Sequence, residues 1–227
     1  MPLIINIDTS TEAATVSIAS NGELLAVKKS LHQKDHAAFV QPAIQEMLHT
    51  AGIPIQDIAA IAVSAGPGSY TGLRVGMSSA KGLCFALNIP LVAVPSLAVE
   101  AAAAIASLGH DAATNRLFCP MTDARRMEVF TALYNDALEM VWPARALIVE
   151  PDSFQEWLND HSIYFSGTGS AKWQTLCKHP NAKFISAADT AKALGITSYK
   201  KYLQGDFSAI STSTPLYIKD FHSIGNR

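Results

Sequence analysis

One stretch of the chain, residues 64–83, combines glycines with hydroxyl and basic side chains at the predicted start of a helix. An apolar run, 58–63, leads into it and a helical repeat of apolar residues leads out, so the pattern predicts a strand, a glycine-rich turn and a helix. Gly72, Gly76 and Ser79 form a second helix face with almost no side chain, which lets a phosphate or another backbone come close. The stretch therefore fits either an anion-binding helix terminus or a surface on which a second helix packs.

Histidine and cysteine positions carry little catalytic signal. His32 and His36 stand four residues apart, the spacing at which two histidines on one helix share a metal ion. They lie at the predicted start of a helix, where exposed polar residues are routine, so the preferred interpretation is a solvated helix terminus. Cys84, Cys119 and Cys177 each lie in an apolar segment and predict buried, reduced thiols rather than nucleophiles.

The bulk composition is that of an ordinary globular protein. Of 227 residues, 49% are hydrophobic and 16% are charged, and the net charge of -2 provides no basic field for wrapping nucleic acid. Contact with nucleic acid is therefore expected to be local or made through a partner. The first residues have no basic segment ahead of their apolar run, which predicts a strand rather than a signal peptide. No apolar run approaches membrane-spanning length, and a cytoplasmic location without membrane contact is expected.

Apolar periodicity predicts two amphipathic helices in the first half. The helix after the glycine-rich turn has a buried stripe at Leu73, Met77, Ala80, Cys84 and Leu87. An earlier helix, capped by Asp35 and reaching about residue 50, contains Pro42, which predicts a kink or the true start of the helix. Phe39 and Ala43 are assigned to a second apolar face of this earlier helix. Its main stripe is expected at Ala37, Val40, Ile44, Met47 and Leu48.

The pattern of the first half recurs in the second half. In each half a predicted strand ends in an aspartate, Asp8 or Asp123, and a hairpin signal follows. A later strand in each half runs into a glycine-rich turn, which is residues 166–170 in the second half. This internal repeat predicts a duplicated actin-like or sugar-kinase-like α/β fold, with two mixed sheets flanked by helices. A polar connector divides the chain into an N-terminal half, 1–110, and a C-terminal half, 111–227.

Both aspartates are expected to face a cleft between the halves. Asp8, Thr9 and Ser10 are similar to a phosphate loop in which a carboxylate acts through Mg²⁺ and water. The same three residues equally suit the cap of a turn, and both interpretations stay open. Arg125 follows Asp123 closely, so it either pairs with that carboxylate or meets the carboxylate of a partner.

The string Gly66-Pro67-Gly68-Ser69-Tyr70-Thr71-Gly72-Leu73-Arg74 closely resembles the bacterial TsaB (YeaZ) family, as do Asp8-Thr9-Ser10, Asp123-Ala124-Arg125 and Pro215-Leu216-Tyr217. The resemblance covers nearly the whole chain. It implies an actin-like fold and a role in making threonylcarbamoyladenosine beside the anticodon of certain tRNAs, with a catalytic paralogue, TsaD, and an ATPase, TsaE, as partners. It also implies a vestigial nucleotide or anion site at Asp8, Thr9, Ser10, Gly66, Gly68, Ser69, Arg74, Asp123 and Arg125.

One segment distinguishes the catalytic paralogue from its partner. The catalytic paralogue carries a His-x-x-x-His metal pair after the strand that follows the glycine-rich helix, whereas Ser96 and Glu100 stand there in this chain. The chain is therefore expected to be a scaffold subunit with no catalytic residue and no metal site. No cofactor is expected to bind tightly to this chain. ATP or ADP with Mg²⁺ is assigned to the interface of the complex. The chain is expected to contact tRNA only indirectly.

Docking is expected on two helices, both to the TsaD-like paralogue and, in isolation, to a second copy of the chain. The predicted interface residues are Phe39, Val40, Ala43, Met47, Gly72, Gly76 and Ser79. Small residues allow helices to approach closely, and two helices from each partner would form a four-helix interface. Three alternatives stay open: an ATP-dependent phosphotransferase or ATPase of the same fold, a metallopeptidase-like enzyme, and a structural homodimer unrelated to tRNA.

Overall fold

Two five-stranded sheets alternate with pairs of helices in the computed structural model, which describes residues 1–31, 35–109, 115–187 and 189–219. The first sheet has the order β3-β2-β1-β4-β5, with β1 and β2 and then β2 and β3 antiparallel, and β1, β4 and β5 parallel. Its strands are β1 Leu3–Asp8, β2 Ala14–Ser20, β3 Glu23–Ser30, β4 Ile58–Ser64 and β5 Leu91–Val94.

The second sheet repeats the first. Its order is β8-β7-β6-β9-β10, and it has the same sequence of antiparallel and parallel pairs. Its strands are β6 Arg116–Asp123, β7 Glu128–Tyr134, β8 Met140–Ile148, β9 Ser162–Ser166 and β10 Ala182–Phe184. The internal repeat is thereby confirmed, since β6 corresponds to β1 and the strand-end aspartates Asp123 and Asp8 occupy equivalent positions.

The helices separate and cover the sheets in five layers. Their bounds are α1 His36–Ala51, α2 Tyr70–Leu87, α3 Ser96–Leu108, α4 Gln155–Leu158, α5 Ser170–Gln174 and α6 Thr190–Leu203. Helices α1 and α2 cover the outer face of the first sheet, while α4 and α5 lie against the outer face of the second. Helices α3 and α6 pack on the inner face of the first sheet, and α3 also packs on the second sheet. Because β1 and β4 are covered on both faces, they are continuous apolar runs.

Helix α1 differs from its prediction. It begins at His36 and continues through Pro42, so Pro42 does not mark its start. Ala43 lies at 3% exposure in the same core as Val40, while Ala37 is exposed. The assignment of Ala43 to a second apolar face was wrong, because positions 40, 43, 44 and 47 are spaced i, i+3, i+4 and i+7 and so form one stripe.

The last helix returns to the first sheet. Ala193 and Leu194 of α6 are buried against Ile4 and Ala60, and the Ser198 hydroxyl donates a 2.6 Å hydrogen bond to Asn6 Oδ1 in β1. The second sheet lies wholly after the predicted connector, but α6 completes the core of the first half. Residues 110–114 lie outside the described residues, so the division at 110 stays a prediction.

None of the helices in the described ranges combines the length and apolar character needed to span a bilayer.

Candidate functional site between the two sheets

The glycines of the α2 motif pack against the loop that joins β1 to β2, residues 9–13. A Cβ atom on Gly68 would lie 2.2 Å from the Ser10 carbonyl oxygen, and one on Gly72 would lie 2.1 Å from the Thr9 carbonyl oxygen. At Gly76 a Cβ atom would lie 2.4 Å from the Thr9 hydroxyl oxygen. These distances leave no room for a side chain, so the small-residue face is a close contact within the chain itself.

Hydrogen bonds hold this loop against the start of α2. The Ser69 N–H donates to the Ser10 carbonyl at 2.7 Å, and the Thr9 hydroxyl donates to the Gly72 carbonyl at 2.7 Å. The Ser69 hydroxyl caps the helix by accepting from the Gly72 N–H at 3.3 Å. The β1–β2 loop thus lies directly against the glycines of this turn, and the Ser69 and Gly72 N–H groups are hydrogen-bonded within the chain.

The C-terminal segment contacts the other side of the glycine-rich turn. Gly66 has a φ of +110°, and a Cβ atom there would lie 2.7 Å from the Leu216 carbonyl oxygen. The Leu216 N–H donates to the Ala65 carbonyl at 2.7 Å. Two motifs that are far apart in the sequence, the glycine string and Pro215-Leu216-Tyr217, therefore form one contact.

Arg74 binds the aromatic end of that segment. Its Nε donates to the Tyr217 hydroxyl at 3.1 Å, and its guanidinium lies 4.0 Å from the centre of the Tyr70 ring. The rings of Tyr70 and Tyr217 are 5.2 Å apart. The hydrogen bond to Tyr217 raises the pKa of Arg74. Arg74 thus joins α2 to the C-terminal segment, whereas the family resemblance placed it at a nucleotide or anion site.

The Asp8 carboxylate caps the turn at the end of β1. Its Oδ1 accepts hydrogen bonds from the Ser10 N–H at 2.9 Å and from the Ser10 hydroxyl at 2.7 Å. Of the two interpretations that the sequence left open, the described geometry corresponds to the turn cap.

Asp123, the equivalent residue in the second half, forms an ion pair with Lys172. The Lys172 ammonium lies 2.8 Å from Asp123 Oδ1, which also accepts from the Arg125 N–H at 2.6 Å. The largest single effect on the pKa of Asp123 is desolvation, which raises it. The hydrogen bonds from Lys172 and Arg125 and the positive charge of Lys172 together outweigh that effect, so the pKa of Asp123 is lowered. Of the two alternatives for Arg125, an ion pair with Asp123 does not match the structure, because Arg125 contributes its backbone amide and Lys172 supplies the charge. Contact of Arg125 with a partner's carboxylate stays a prediction.

A cleft of about 700 Å³ separates the two halves beside these loops. It brings together Ser10, Gly68 and Ser69 from the first half with Asp123 and Arg125 from the second. The predicted grouping at one cleft is correct for these five residues. Gly66 and Arg74 instead contact the C-terminal segment.

Ser96 and Glu100 occupy the first turns of α3, between the sheets. The Ser96 hydroxyl accepts from the Gly66 N–H at 3.0 Å, and the Ser96 N–H donates to the Gly66 carbonyl at 2.8 Å. Burial raises the pKa of Glu100, the charge of Asp8 raises it further, and the Ser166 hydroxyl opposes the rise. In the described part of the chain, no three His, Cys, Asp or Glu side chains lie close enough together to hold a metal ion.

His36 is not solvated. It is 2% exposed, and its Nε2 lies 3.0 Å from the Glu12 carbonyl oxygen. A Cβ atom on Gly72 would lie 3.2 Å from His36 Nδ1, so the ring packs between α2 and the β1–β2 loop. The predicted solvated helix terminus was wrong for His36, and His32 lies outside the described residues.

Most of the predicted interface residues are covered by the chain itself. Val40, Ala43 and Met47 are at most 3% exposed in the core beneath α1, and Gly72 and Gly76 face Thr9. Buried side chains offer no surface, so this part of the interface prediction was wrong. Phe39 and Ser79 are half-buried, and their contact with a partner stays a prediction.

The outward face of α2 is a different stripe, made of Thr71, Arg74, Ser78, Gly82 and Phe85. Gly82 has open space where a Cβ atom would lie, and Phe85 is 81% exposed. The repeat 71-78-85 is visible in the sequence as a seven-residue period, which is the signal that could have identified this stripe.

The contacts of Lys172 and Tyr217 had no local signal, because their partners lie far away in the chain.

Comparison with solved structures supports the fold. "YeaZ from Pseudomonas aeruginosa" superposes with a TM-score of 0.75 at 25% identity, covering 96% of this chain and all of that one. A putative N-acetylmannosamine kinase from Listeria monocytogenes has a TM-score of 0.50 at 11% identity, covering 90% of this chain and 99% of that one. The predicted actin-like and sugar-kinase-like class is thereby confirmed.

Sequence comparison identifies the family. The model described as TsaD, tRNA N6-adenosine threonylcarbamoyltransferase, matches residues 27–217. The tRNA threonylcarbamoyladenosine biosynthesis protein TsaB of Bacillus subtilis is 33% identical, over 72% of this chain and 70% of that protein. The Escherichia coli protein of the same name is 28% identical over 96% of this chain and 94% of its own length. The chain therefore belongs to the TsaD family, and within it to the TsaB (YeaZ) group.

Proposed function

We propose that the protein is a non-catalytic subunit required to make threonylcarbamoyladenosine beside the anticodon of tRNA. It acts by binding a catalytic paralogue similar to TsaD and an ATPase similar to TsaE. The names of its relatives, which are tRNA threonylcarbamoyladenosine biosynthesis proteins, support the pathway. The net charge of -2 supports indirect contact with tRNA, through the partner.

The internal hydrogen bonds of the glycine-rich turn are the observation that supports the non-catalytic assignment. The Ser69 N–H donates to the Ser10 carbonyl and the Gly72 N–H donates to the Ser69 hydroxyl, so two donors that an anion would use at a helix N-terminus are engaged within the chain. We therefore expect this turn to bind a nucleotide weakly. ATP or ADP with Mg²⁺, where the complex uses them, is held at the interface with the partner.

The outward stripe of α2 is the surface that we assign to the partner. Ser78 and Gly82 let a second helix approach closely, and Phe85 at one end provides an exposed aromatic anchor. Ser79, next to Ser78 in α2, is half-buried, and half-buried Phe39 of α1 packs against the core beneath both helices. A paralogue of similar fold presents an equivalent pair of helices, so the same surface serves the heterodimer and, in isolation, a homodimer.

Depletion of the protein from its host tests the pathway. We expect tRNA nucleosides, analysed by mass spectrometry, to contain unmodified adenosine in place of threonylcarbamoyladenosine, and an intact copy to restore the modification. Unchanged modification after complete depletion contradicts the proposal. That result would leave the structural homodimer unrelated to tRNA.

One observation favours a second candidate function, an ATP-dependent phosphotransferase or ATPase. Ser10, Asp123 and Arg125 meet at the cleft of about 700 Å³, where an actin-like ATPase holds its substrate. An ATP-hydrolysis assay on the isolated chain separates the two functions. Turnover that Asp8→Ala abolishes supports the enzyme, and absence of turnover supports the scaffold. The metallopeptidase alternative has no comparable support, since the Ser96 hydroxyl is engaged with the Gly66 N–H.

A further inference from the structure

A second cavity between the two halves lies at the end of the interlobe layer opposite the cleft. The cleft adjoins Asp123 at the end of β6, whereas the β7–β8 hairpin, residues 135–139, follows the far end of β7. A strand of seven residues spans about 23 Å, so the hairpin lies well away from the cleft. Helices α3 and α6 and this hairpin surround a cavity of about 600 Å³. The function proposed above uses none of the residues that line it.

The walls of this cavity are largely apolar. Ile105 of α3, Leu138 of the hairpin and Ile196 of α6 line it, and each is half-buried. Ile105 and Leu138 also pack in the core between α3 and the second sheet. Alanines of α3 and α6 form much of the remaining wall. The volume and the apolar lining are typical of sites for small organic molecules.

Leu138 has an unusual backbone conformation for an apolar residue. Its φ is +63°, in the left-handed region that favours glycine. A bulky side chain is unfavourable there, so the contacts of the leucine side chain must offset the strain. Those contacts are with the core beneath α3 and with the cavity, of which Leu138 forms one wall. The chain thus has an apolar side chain at a place where the turn alone would favour glycine.

Two lysines provide positive charge at the same cavity. Lys192 and Lys200 lie on one face of α6, four residues before and four residues after Ile196. Eight helical residues span about 12 Å, so the two lysines flank the isoleucine along the cavity. Neither lysine forms an ion pair with an acidic residue in the described part of the chain. Both ammonium groups are therefore available to a ligand.

The two acidic residues of the cavity already have internal contacts. Asp136 forms an ion pair with Arg116, which is buried. Asp189 caps α6, since its Oδ1 accepts a hydrogen bond from the Lys192 N–H at 3.2 Å. With the Asp136–Arg116 pair counted as neutral, two lysines and one aspartate leave a net charge of +1 at the cavity. This sign favours an anion over a cation.

We propose that this cavity binds a small organic anion with an apolar body. The apolar body lies between Ile105, Leu138 and Ile196, and burial of their exposed surface stabilises the complex. The anionic group accepts hydrogen bonds from the ammonium group of Lys192 or Lys200. Because the walls come from both halves of the chain, the bound molecule also joins the halves and stabilises the fold.

Calorimetric titration and thermal unfolding of the full chain test the proposal, with octanoate as the probe. Octylammonium has a similar apolar body and the opposite charge, and acetate has the same charge without the apolar body. We expect octanoate, below the concentration at which it forms micelles, to bind and to raise the unfolding midpoint. Octylammonium and acetate should leave the midpoint unchanged. Lys192→Gln and Lys200→Gln should each weaken octanoate binding about two- to fivefold, and the double variant about tenfold.

A third variant tests the cavity rather than its charge. Ala106 is an exposed residue of the α3 wall, so Ala106→Phe places a ring in the cavity and should abolish the response to octanoate. Ala86→Phe, at an exposed position of α2, is the control for the added ring. Lys201→Gln is the control for the lost charge, because Lys201 lies on the same helix and is paired with Asp206. Both controls should keep the full response.

Three kinds of result overturn the proposal. They are no response to octanoate, an equal response to octylammonium or acetate, and a response that survives in the double lysine variant or in Ala106→Phe. Vesicles of phosphatidylglycerol distinguish a lipid surface from a free acid. Binding to these vesicles without a response to octanoate would assign the two lysines to a membrane surface and would also overturn the proposal.

Discussion

The Ser10 carbonyl oxygen lies 2.2 Å from the point that a Cβ atom on Gly68 would occupy. Two loops that begin about sixty residues apart are therefore in backbone contact, and the Ser69 N–H donates to the same carbonyl at 2.7 Å. The residue types in the glycine string are thus required by packing within the chain. The turn resembles a nucleotide-binding loop in its shape, but its glycines are used for contact with the β1–β2 loop.

Two glycines of the same helix should respond oppositely to alanine. A Cβ atom on Gly72 would meet the Thr9 carbonyl oxygen at 2.1 Å, so Gly72→Ala forces the backbone apart and should lower the free energy of unfolding by about 1–3 kcal/mol. Gly82 has nothing within 4 Å, so Gly82→Ala should raise it by about 0.5–1 kcal/mol through helix propensity. Urea unfolding of both variants measures the difference. Equal effects of the two substitutions would refute the close contact.

Glu100 should make stability depend on pH with a defined sign. Burial, followed by the charge of Asp8, raises the pKa of Glu100 in the folded protein above the unfolded value of about 4.3. The stabilising contribution of its protonated form is therefore complete below that unfolded value and is lost as pH rises through the raised pKa. Relative to Glu100→Gln, the natural chain should lose stability as pH rises from about 4 to neutral. The measurement is the unfolding midpoint of the wild-type protein and of Glu100→Gln at each pH in this range, with Glu12→Gln as the charge-matched control. A difference between wild type and Glu100→Gln that stays constant with pH contradicts the raised pKa of Glu100.

Phe85 should anchor the partner without contributing to the fold. It is 81% exposed, so Phe85→Glu should change the free energy of unfolding by no more than about 0.5 kcal/mol. Binding to the TsaD-like paralogue should weaken by about 2 kcal/mol or more, as for a buried aromatic anchor. Co-purification and calorimetry measure the loss. The matched control is Ile148→Glu, at a 63% exposed apolar residue on the second sheet, and co-purification that survives in Phe85→Glu would disprove the surface.

A related correction concerns α1. If Phe39 and Ala43 formed a docking face, as the sequence pattern predicted, charged residues there would block partner binding and leave the monomer folded. Ala43 is 3% exposed in the core, so a charge there should unfold the chain instead. Phe85 provides the clean test because its side chain can change without disturbing that core.

Tyr217 should attach the C-terminal segment to α2. Tyr217→Ala removes the ring that lies 5.2 Å from Tyr70 and should lower the free energy of unfolding by about 1 kcal/mol. Tyr217→Phe keeps the ring, removes only the acceptor for Arg74, and should have the smaller effect. Urea unfolding and limited proteolysis of the segment measure both. Wild-type resistance to protease in Tyr217→Ala would show that Leu216 alone holds it.

Sequence patterns predicted the strands that are covered on both faces and missed the short elements at the edges. Strand β4 extends one residue beyond the predicted run, and β1 and β6 end at the predicted aspartates Asp8 and Asp123, because their apolar runs are bounded by turn signals. Edge strand β8 was missed, since Pro143 interrupts it and its residues are mostly half-buried. Strand β10 has three residues and α5 has five, which is too short for any periodicity.

For the site, the sequence predicted contacts between neighbours and missed distant partners. The turn cap formed by Asp8 and Ser10 follows from residues two positions apart. Lys172 lies 49 residues after Asp123, and no local pattern selects it over Arg125. Burial of His36 was equally hidden, because its contacts come from the β1–β2 loop and from α2.

Helix α6 has a consequence for how the chain is made. Helix α3 covers part of the inner face of the first sheet, but the part that α6 covers stays exposed until Ala193 and Leu194 have been synthesised. The N-terminal half emerging from the ribosome therefore exposes an apolar sheet face throughout translation of the second half. Its folding must be completed after synthesis, by contacts of very long sequence separation, and such closure is slow. The nascent chain is thus a natural substrate for chaperones during that interval.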